Sequence, residues 1–182
     1  MKPTLSHIDA VEAVLRTRFE RQIRKHQVMD AEEASLSPFP KGLDPRLAAV
    51  LRERGIEQLY SHQAEAFESI AAGQDTVLVS RTASGKTLAF LLPILSDTCT
   101  SEAPFGVLLL YPTKALSRDQ EGTLGALLKA ALGTRKLGTF DGDTPREERA
   151  KIMKSADFVI TNPDMLHAGI LPNHHRGWSD FL

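Results

Sequence analysis

Four short runs with strand character, of which the third is the weakest and which are separated by turn residues and helical patterns, constrain the fold more than any other feature of this sequence. The runs are Asp75–Ser80, Phe105–Tyr111, Lys136–Phe140 and Asp157–Thr161. The helices between them are expected over Lys86–Leu95, over Lys114–Leu132 and from Pro145 onward. This alternation favours parallel strands joined by crossover helices. We therefore predict an α/β fold whose ligands bind beyond the carboxyl ends of the strands.

The region before the first run is helical in pattern and contains a linker. Apolar residues recur at helical spacing near the start of the chain, at Ile8, Val11, Leu15, Phe19 and Ile23. We expect one helix there, capped by Ser6 and running through about the first thirty residues. The prolines and glycine of Ser35–Gly42 indicate a linker, and further helices are expected from Asp44 to Gly55 and from Ser61 to Gly73. Residues 1–43 and 44–182 are the predicted divisions of the chain.

Composition limits the classes of protein that this chain can represent. Its 182 residues are 42% hydrophobic and 25% charged with a net charge of −1, which is typical of a globular protein. No apolar stretch approaches the ~18–20 residues that span a bilayer, and no secretion signal is visible, so we expect a cytoplasmic protein with no membrane partner. A single cysteine, Cys99, excludes an internal disulfide, and the adjacent His174 and His175 favour no metal site. The sequence does not indicate an oligomeric state.

The turn after the first run carries a candidate phosphate-binding loop. Residues Ser80–Thr87 match the pattern Gly-x-x-x-x-Gly-Lys-Ser/Thr except that Ser80 replaces the first glycine. In such a loop, backbone amides cradle phosphate oxygens, Lys86 places its charge on the β- and γ-phosphates, and Thr87 offers a hydroxyl to Mg²⁺. The other predicted members of the loop are Arg81, Thr82, Ala83, Ser84 and Gly85. These residues predict a nucleotide site. The alternative is an ordinary strand–turn–helix connection that has a similar sequence but binds no ligand.

Four ordered motifs together resemble a known family. Besides the phosphate loop, they are Tyr60–Gln63 before it, Tyr111–Gln120 after the second run, Asp141–Arg149 after the third and Thr161–His167 after the fourth. This series resembles the first motor domain of superfamily 2 DEAD/DEAH-box (DExH) helicases, and within them the YprA/MrfA branch of bacterial DNA-repair helicases. The resemblance covers Asp44 to Leu182, and Arg81 departs from the small residue or proline that is usual in the family.

The resemblance implies a fold and a set of contacts. The fold would be a RecA-like three-layer sandwich with an incomplete parallel sheet and an N-terminal helical extension. Gln63, with Tyr60 beside it, would contact the adenine of ATP, and Mg²⁺ would accompany the nucleotide. The sugar–phosphate backbone of DNA, either a single strand or a duplex with a tail, would lie against three loops. Their residues are Pro112, Thr113 and Lys114, Gly142 and Asp143, and Asn162, Pro163 and Asp164.

One element of the family pattern does not occur in this sequence. No Asp-Glu-x-His or Asp-Glu-x-Asp string is present, although such a pair would hold Mg²⁺ and activate water. We expect a truncated motor domain that binds nucleotide weakly, does not hydrolyse it appreciably and does not unwind DNA. We also expect an unpaired sheet edge and marginal stability. The alternatives are another phosphate-loop phosphotransferase or NTPase, and a non-enzymatic remnant of an interrupted helicase gene.

Overall fold

The computed structural model describes residues 7–25, 27, 33–81, 84–101, 106–133 and 135–182. The chain forms two compact units, Met1–Ala34 and Ser35–Leu182. The expected linker over Ser35–Gly42 belongs to the second unit, because Leu36 and Ser37 pair with Tyr60 and Leu59. The boundary after residue 43 stays a prediction.

The first unit contains a helix that is shorter than expected. Helix α1 spans His7–Arg18, and a short 3-10 turn follows at Glu20–Gln22. Ile23 is extended, so it does not continue the helical face, and Ser6 lies outside the described residues. If the helix continued, it would place the like charges of Arg18, Arg21 and Lys25 near one another on one face. Like charges at this spacing are unfavourable, which is consistent with the end of α1 at Arg18.

The second unit begins with two helices whose ends follow the expected signals. Strand β1 (Leu36–Ser37) precedes helix α2 (Pro45–Glu53), which begins after the cap Asp44. The Asp44 carboxylate accepts a hydrogen bond from the Arg46 backbone amide at 2.8 Å. Strand β2 (Leu59–Tyr60) leads directly into helix α3 (Ser61–Ala71). Helix α3 begins at Ser61 as expected, and the side chain of Gln63 accepts a hydrogen bond from the backbone amide of Tyr60, the residue before the helix.

Three of the four predicted strands form one parallel sheet. Helix α4 (Lys86–Thr100) precedes strand β3 (Val107–Leu110), and helix α5 (Lys114–Ala131) leads to strand β4 (Leu137–Thr139). Helix α6 (Arg146–Ser155) then leads to strand β5 (Phe158–Thr161). The sheet order is β3-β5-β4, and Leu109 and Thr139 both align with Ile160. All four residues of β5 are buried, as expected for a central strand covered on both faces.

The remaining predicted strand, Asp75–Ser80, is not formed. Val77 and Val79 are 90% and 88% exposed, and within the described residues this segment pairs with no strand. A β-strand forms only when a neighbouring backbone hydrogen-bonds to it, however well its residues suit a strand. The prediction from the residue pattern alone was therefore wrong for this segment. The free edge of β3 also borders a cavity of about 680 Å³ against α3 and α4. Within the described residues, β3 lies at one end of the strand order β3-β5-β4.

Helical layers cover both faces of the sheet. Phe158 and Ile160 of β5 belong to a core with α2, α4 and α5, whereas Val159 points into a second core on the opposite face. The second core contains Ile152 of α6 and the fully buried Trp178, whose ring meets Phe140 edge to face at 5.0 Å. Strand β5 is followed by helix α7 (Pro163–Met165), a π turn (Leu166–Ile170) and a 3-10 segment (Leu171–Arg176). The predicted three-layer α/β architecture is confirmed.

Across the described helices, none has both the length and the apolar character needed to cross a membrane. The same part of the structure contains no cluster of three or more His, Cys, Asp or Glu side chains that could hold a metal ion.

Candidate nucleotide site and adjoining loops

The phosphate loop precedes a long helix, as the sequence predicts. Gly85 immediately precedes α4 and has a left-handed backbone with a φ of 76°. A side chain at this position would be strained, and its Cβ would also overlap the Gln63 amide nitrogen. Two predicted loop members, Thr82 and Ala83, lie outside the described residues. The described part of the loop therefore places a glycine and the positive end of a fifteen-residue helix at the expected phosphate position.

The Lys86 ammonium group lies across the loop. Its Nζ donates hydrogen bonds to the backbone carbonyls of Ser80 at 3.0 Å and Arg81 at 2.6 Å. The Ser80 and Ser84 hydroxyls are 2.6 Å apart and lie 3.3 and 3.4 Å from the same ammonium. Ser80 thus supplies a hydroxyl bridge where the common pattern has a glycine. The lysine charge is held inside the loop by oxygen atoms that a phosphate group can replace.

Helix α3 is fastened to the phosphate loop by two adjacent side chains. Gln63 is only 3% exposed; its Oε1 accepts from the Tyr60 amide at 3.0 Å and its Nε2 donates to the Gly85 carbonyl at 2.9 Å. His62 Nε2 donates to the Ser84 carbonyl at 2.9 Å, because a carbonyl can only accept. The rings of Tyr60 and His62 stack at 5.6 Å with 9° between their planes. Gln63 therefore positions the loop, and its contact with adenine stays a prediction.

Thr87 lies beside the phosphate loop at the edge of a cavity. This cavity of about 380 Å³ falls within the usual size range of small-molecule sites. Its lining includes Lys86, Thr87 and Leu78. A hydroxyl oxygen is a suitable ligand for a hard cation such as Mg²⁺, so the chemistry of Thr87 fits the predicted role.

The three loops predicted to contact nucleic acid lie at one edge of the sheet. They follow the carboxyl ends of β3, β4 and β5, which are adjacent parallel strands. Thr113 caps α5 by accepting the Leu116 amide at 3.3 Å, and Asn162 caps α7 by accepting the Met165 amide at 2.9 Å. The remaining predicted residues of these two loops are Pro112, Lys114, Pro163 and Asp164. The starts of α5 and α7 therefore lie at the same end of the sheet.

The loop after β4 is built by a buried carboxylate and an arginine. The Asp141 carboxylate accepts from the Asp143 amide at 2.8 Å and the Thr144 amide at 3.1 Å. Arg149 donates to the carbonyls of Asp141 at 2.8 Å and Thr144 at 2.9 Å. Its guanidinium also lies over the Phe140 ring, 5.3 Å from the ring centre. The sequence analysis included Arg149 at the end of the Asp141–Arg149 motif but did not predict that its side chain holds the loop. The Asp-x-Asp-Thr-Pro pattern does signal the turn.

Lys114 and Asp143 join two of these loops electrostatically. Lys114 Nζ lies 2.8 Å from Asp143 Oδ1, and Arg118 lies 3.5 Å from Oδ2. The hydrogen bond from Lys114, aided by the charges of both cations, lowers the pKa of Asp143 below its usual value. The carboxylate is therefore ionised at neutral pH, and the two loops approach each other through an ion pair.

Comparisons with known proteins agree with this architecture. Residues 60–181 match the DEAD/DEAH box helicase family. The chain is 42% identical to the uncharacterized ATP-dependent helicase YprA of Bacillus subtilis over 87% of the chain and 21% of that protein. It is 37% identical to the ATP-dependent helicase hrq1 of Schizosaccharomyces pombe over 84% of the chain and 14% of that protein. The chain thus spans about a fifth or less of the length of these relatives.

A solved structure supports the same assignment. The crystal structure of the DUF1998 helicase MrfA bound to DNA and AMPPNP is 43% identical in sequence and superposes with a TM-score of 0.78. That likeness covers 84% of this chain and 21% of the MrfA chain. A hypothetical ATP-dependent RNA helicase from Sulfolobus tokodaii, at 21% identity and a TM-score of 0.58, supports the RecA-like fold alone. Motifs, fold and family match all agree, and the chain belongs to the DEAD/DEAH box family of ATP-dependent helicases.

Proposed function

We propose that this chain binds MgATP at its phosphate loop and the DNA backbone at the adjoining sheet edge. It would act as the nucleotide-binding part of a DNA helicase of the repair branch. The observation that carries the proposal is the Lys86 ammonium, which lies inside a loop held by Gln63 and closed by the left-handed Gly85. This arrangement provides a positive charge, backbone amides and a helix N-terminus at one position.

The residues of the loop bind phosphate by exchanging partners. Lys86 releases the carbonyls of Ser80 and Arg81 and donates to phosphate oxygens instead, which keeps its charge neutralised. Thr87 would supply a hydroxyl ligand to Mg²⁺, and the ion would neutralise part of the phosphate charge when bound. Gln63 and His62 hold the carbonyls of Gly85 and Ser84 on the outer side of the loop, so the backbone does not collapse when Lys86 moves.

DNA binding is supported by the three loops and by similarity to MrfA, two crystal structures of which are bound to DNA. Thr113 and Asn162 cap helix starts, and Lys114 lies beside them on the same edge of the sheet. These groups suit phosphate oxygens and offer no pattern for reading bases. We propose a single strand, or a duplex with a single-stranded tail, as the ligand.

Hydrolysis requires a carboxylate pair to activate water, and no Asp-Glu-x-His or Asp-Glu-x-Asp string occurs in this sequence. We therefore propose that the 182-residue chain binds ATP without appreciable turnover and does not unwind DNA by itself. DNA-stimulated release of phosphate from this polypeptide would overturn that part of the proposal.

Calorimetric titration tests the nucleotide site. We expect the chain to bind MgATP in preference to MgGTP, and Lys86→Ala to weaken MgATP binding by about tenfold or more through loss of the phosphate contact. Lys151→Ala removes an exposed charge on α6 and should leave the affinity unchanged. Equal affinity for Lys86→Ala and the unsubstituted chain would refute the site. Preference for GTP would favour another phosphate-loop NTPase.

A further inference from the structure

Three charged side chains form a cluster between α5 and the loop after β4. Lys114 and Arg118 are four residues apart on α5, so their side chains emerge from the same face of the helix. Both meet Asp143, and each cation is nearer a different carboxylate oxygen, at 2.8 Å from Lys114 to Oδ1 and 3.5 Å from Arg118 to Oδ2. One carboxylate thus bridges two cations.

The arrangement has the chemistry of a phosphate site filled by a side chain. A phosphodiester presents two unesterified oxygens that share one negative charge, as a carboxylate does, and Lys and Arg are the usual partners of both. Lys114, Asp143 and Arg118 are 45%, 57% and 67% exposed, so a polymer in solution can reach all three. Exposed ion pairs contribute little to folding stability, so this one can be exchanged readily.

The backbone of the loop does not depend on the Asp143 carboxylate. Asp141 and Arg149 hold the loop through the Asp143 and Thr144 amides and the neighbouring carbonyls. The carboxylate of Asp143 is therefore available for a role other than shaping the turn. Its two cationic partners lie on the element that follows the Thr113 loop, at the proposed DNA-binding edge.

We propose that Asp143 is an internal competitor for a nucleic-acid phosphate, and that Lys114 and Arg118 form the clamp that receives this phosphate when Asp143 releases them. The inference rests on the proposed function, and it changes the role expected for Asp143. This residue does not attract DNA; it occupies the DNA-binding cations until a phosphate displaces it. Arg118 becomes a phosphate-binding residue that the motif pattern did not identify.

Competition has a measurable consequence for affinity and for salt dependence. In Asp143→Asn the clamp carries two uncompensated cations, so DNA no longer has to displace a carboxylate. We expect Asp143→Asn to bind a labelled oligothymidylate about threefold to tenfold more tightly at low salt. The slope of log affinity against log salt should steepen by about 0.7, the value for one additional phosphate contact with a single strand.

Fluorescence anisotropy on matched variants tests the inference. Asp119→Asn removes the same charge from α5, where Asp119 contacts Gln120 and belongs to no part of the clamp. We expect it to change affinity less than Asp143→Asn does. Asp143→Asn should raise the DNA affinity less when it is added to Arg118→Ala than when it is made in the unsubstituted chain, because one of the two cations that it releases is then missing. Circular dichroism verifies that each variant retains the fold.

The outcomes separate the inference from the proposed function. If the unsubstituted chain binds DNA and Asp143→Asn binds no more tightly than Asp119→Asn, the competitor role is refuted while DNA binding stands. Weaker binding by Asp143→Asn also refutes it, since it shows that the carboxylate assists the contact. If no folded variant binds DNA at low salt, both the inference and the proposed DNA contact fail.

Discussion

Replacement of Gln63 by alanine tests whether this side chain supports the phosphate loop. Gln63 is 3% exposed and makes two hydrogen bonds, one to the Tyr60 amide and one to the Gly85 carbonyl. Alanine would leave both backbone groups without these partners and would remove the contact between α3 and the loop. The side chain therefore has a structural role that is independent of any nucleotide.

The expected cost of Gln63→Ala follows from these two bonds. A typical intramolecular hydrogen bond contributes about 1 kcal/mol net, and leaving a buried partner unsatisfied raises the loss. Gln63→Ala should therefore lower the free energy of unfolding by about 2–3 kcal/mol. We also expect weaker binding of ATP and GTP alike, because the Gly85 carbonyl is no longer held away from the phosphate position.

Urea unfolding and nucleotide titration provide the measurements. Gln74→Ala is the matched control, since Gln74 is exposed and its side chain accepts a hydrogen bond from the Ser69 hydroxyl, while the Thr76 hydroxyl donates to its backbone carbonyl, which alanine retains. Its effect should remain within about 0.5 kcal/mol, as for most surface substitutions. If Gln63→Ala unfolds like the unsubstituted chain and alters only the ATP-to-GTP ratio, the side chain reads the base and the positioning role is wrong.

Two further substitutions test the loop after β4 and the cap of α2. Arg149→Ala should weaken DNA binding several-fold at unchanged ATP affinity, because it releases the carbonyls of Asp141, Gly142 and Thr144. Fluorescence anisotropy measures the DNA affinity, and Arg146→Ala, which removes an exposed arginine from the same helix, is the control. Equal DNA affinities for these two variants would contradict it. The hydrogen bond from Arg46 lowers the pKa of Asp44, so its charge stabilises the fold above about pH 4 and this contribution is lost as the pH falls through the lowered pKa. The difference in the free energy of unfolding between Asp44→Asn and the unsubstituted chain should therefore shrink as the pH is lowered. A difference that does not change with pH would contradict this role of Asp44.

The sheet illustrates how far local sequence pattern reaches. Phe105–Tyr111 is continuous in its hydrophobicity and Asp157–Thr161 was also predicted as a strand, and both contain strands that pair in the expected parallel sense. Asp75–Ser80 has the same β-rich character but no strand partner within the described residues, and its valines are exposed. Local pattern measures how well a residue suits a strand, whereas strand formation depends on a neighbouring backbone.

At the candidate site, the spacing of residue types was predictive, whereas the contacts between distant residues were not. The spacing of Gly85, Lys86 and Thr87 was sufficient to predict a phosphate loop at the start of a helix. The bond from Gln63 to the Gly85 carbonyl was not predictable, because it joins residues 22 positions apart through the packing of α3 on α4. The same limit concealed His62, although its position beside Gln63 at the start of α3 was a signal that could have been followed.

The most direct test of the account is hydrogen–deuterium exchange across the phosphate loop, with and without millimolar MgATP. We predict slower exchange of the amides from Ser84 to Leu88 when MgATP is present, with no such change in Lys86→Ala. Exchange in β5 should not depend on the nucleotide, because its four residues are already buried. Unchanged exchange over the phosphate loop, or equal protection in Lys86→Ala, would contradict the proposal that this loop and its lysine bind the triphosphate.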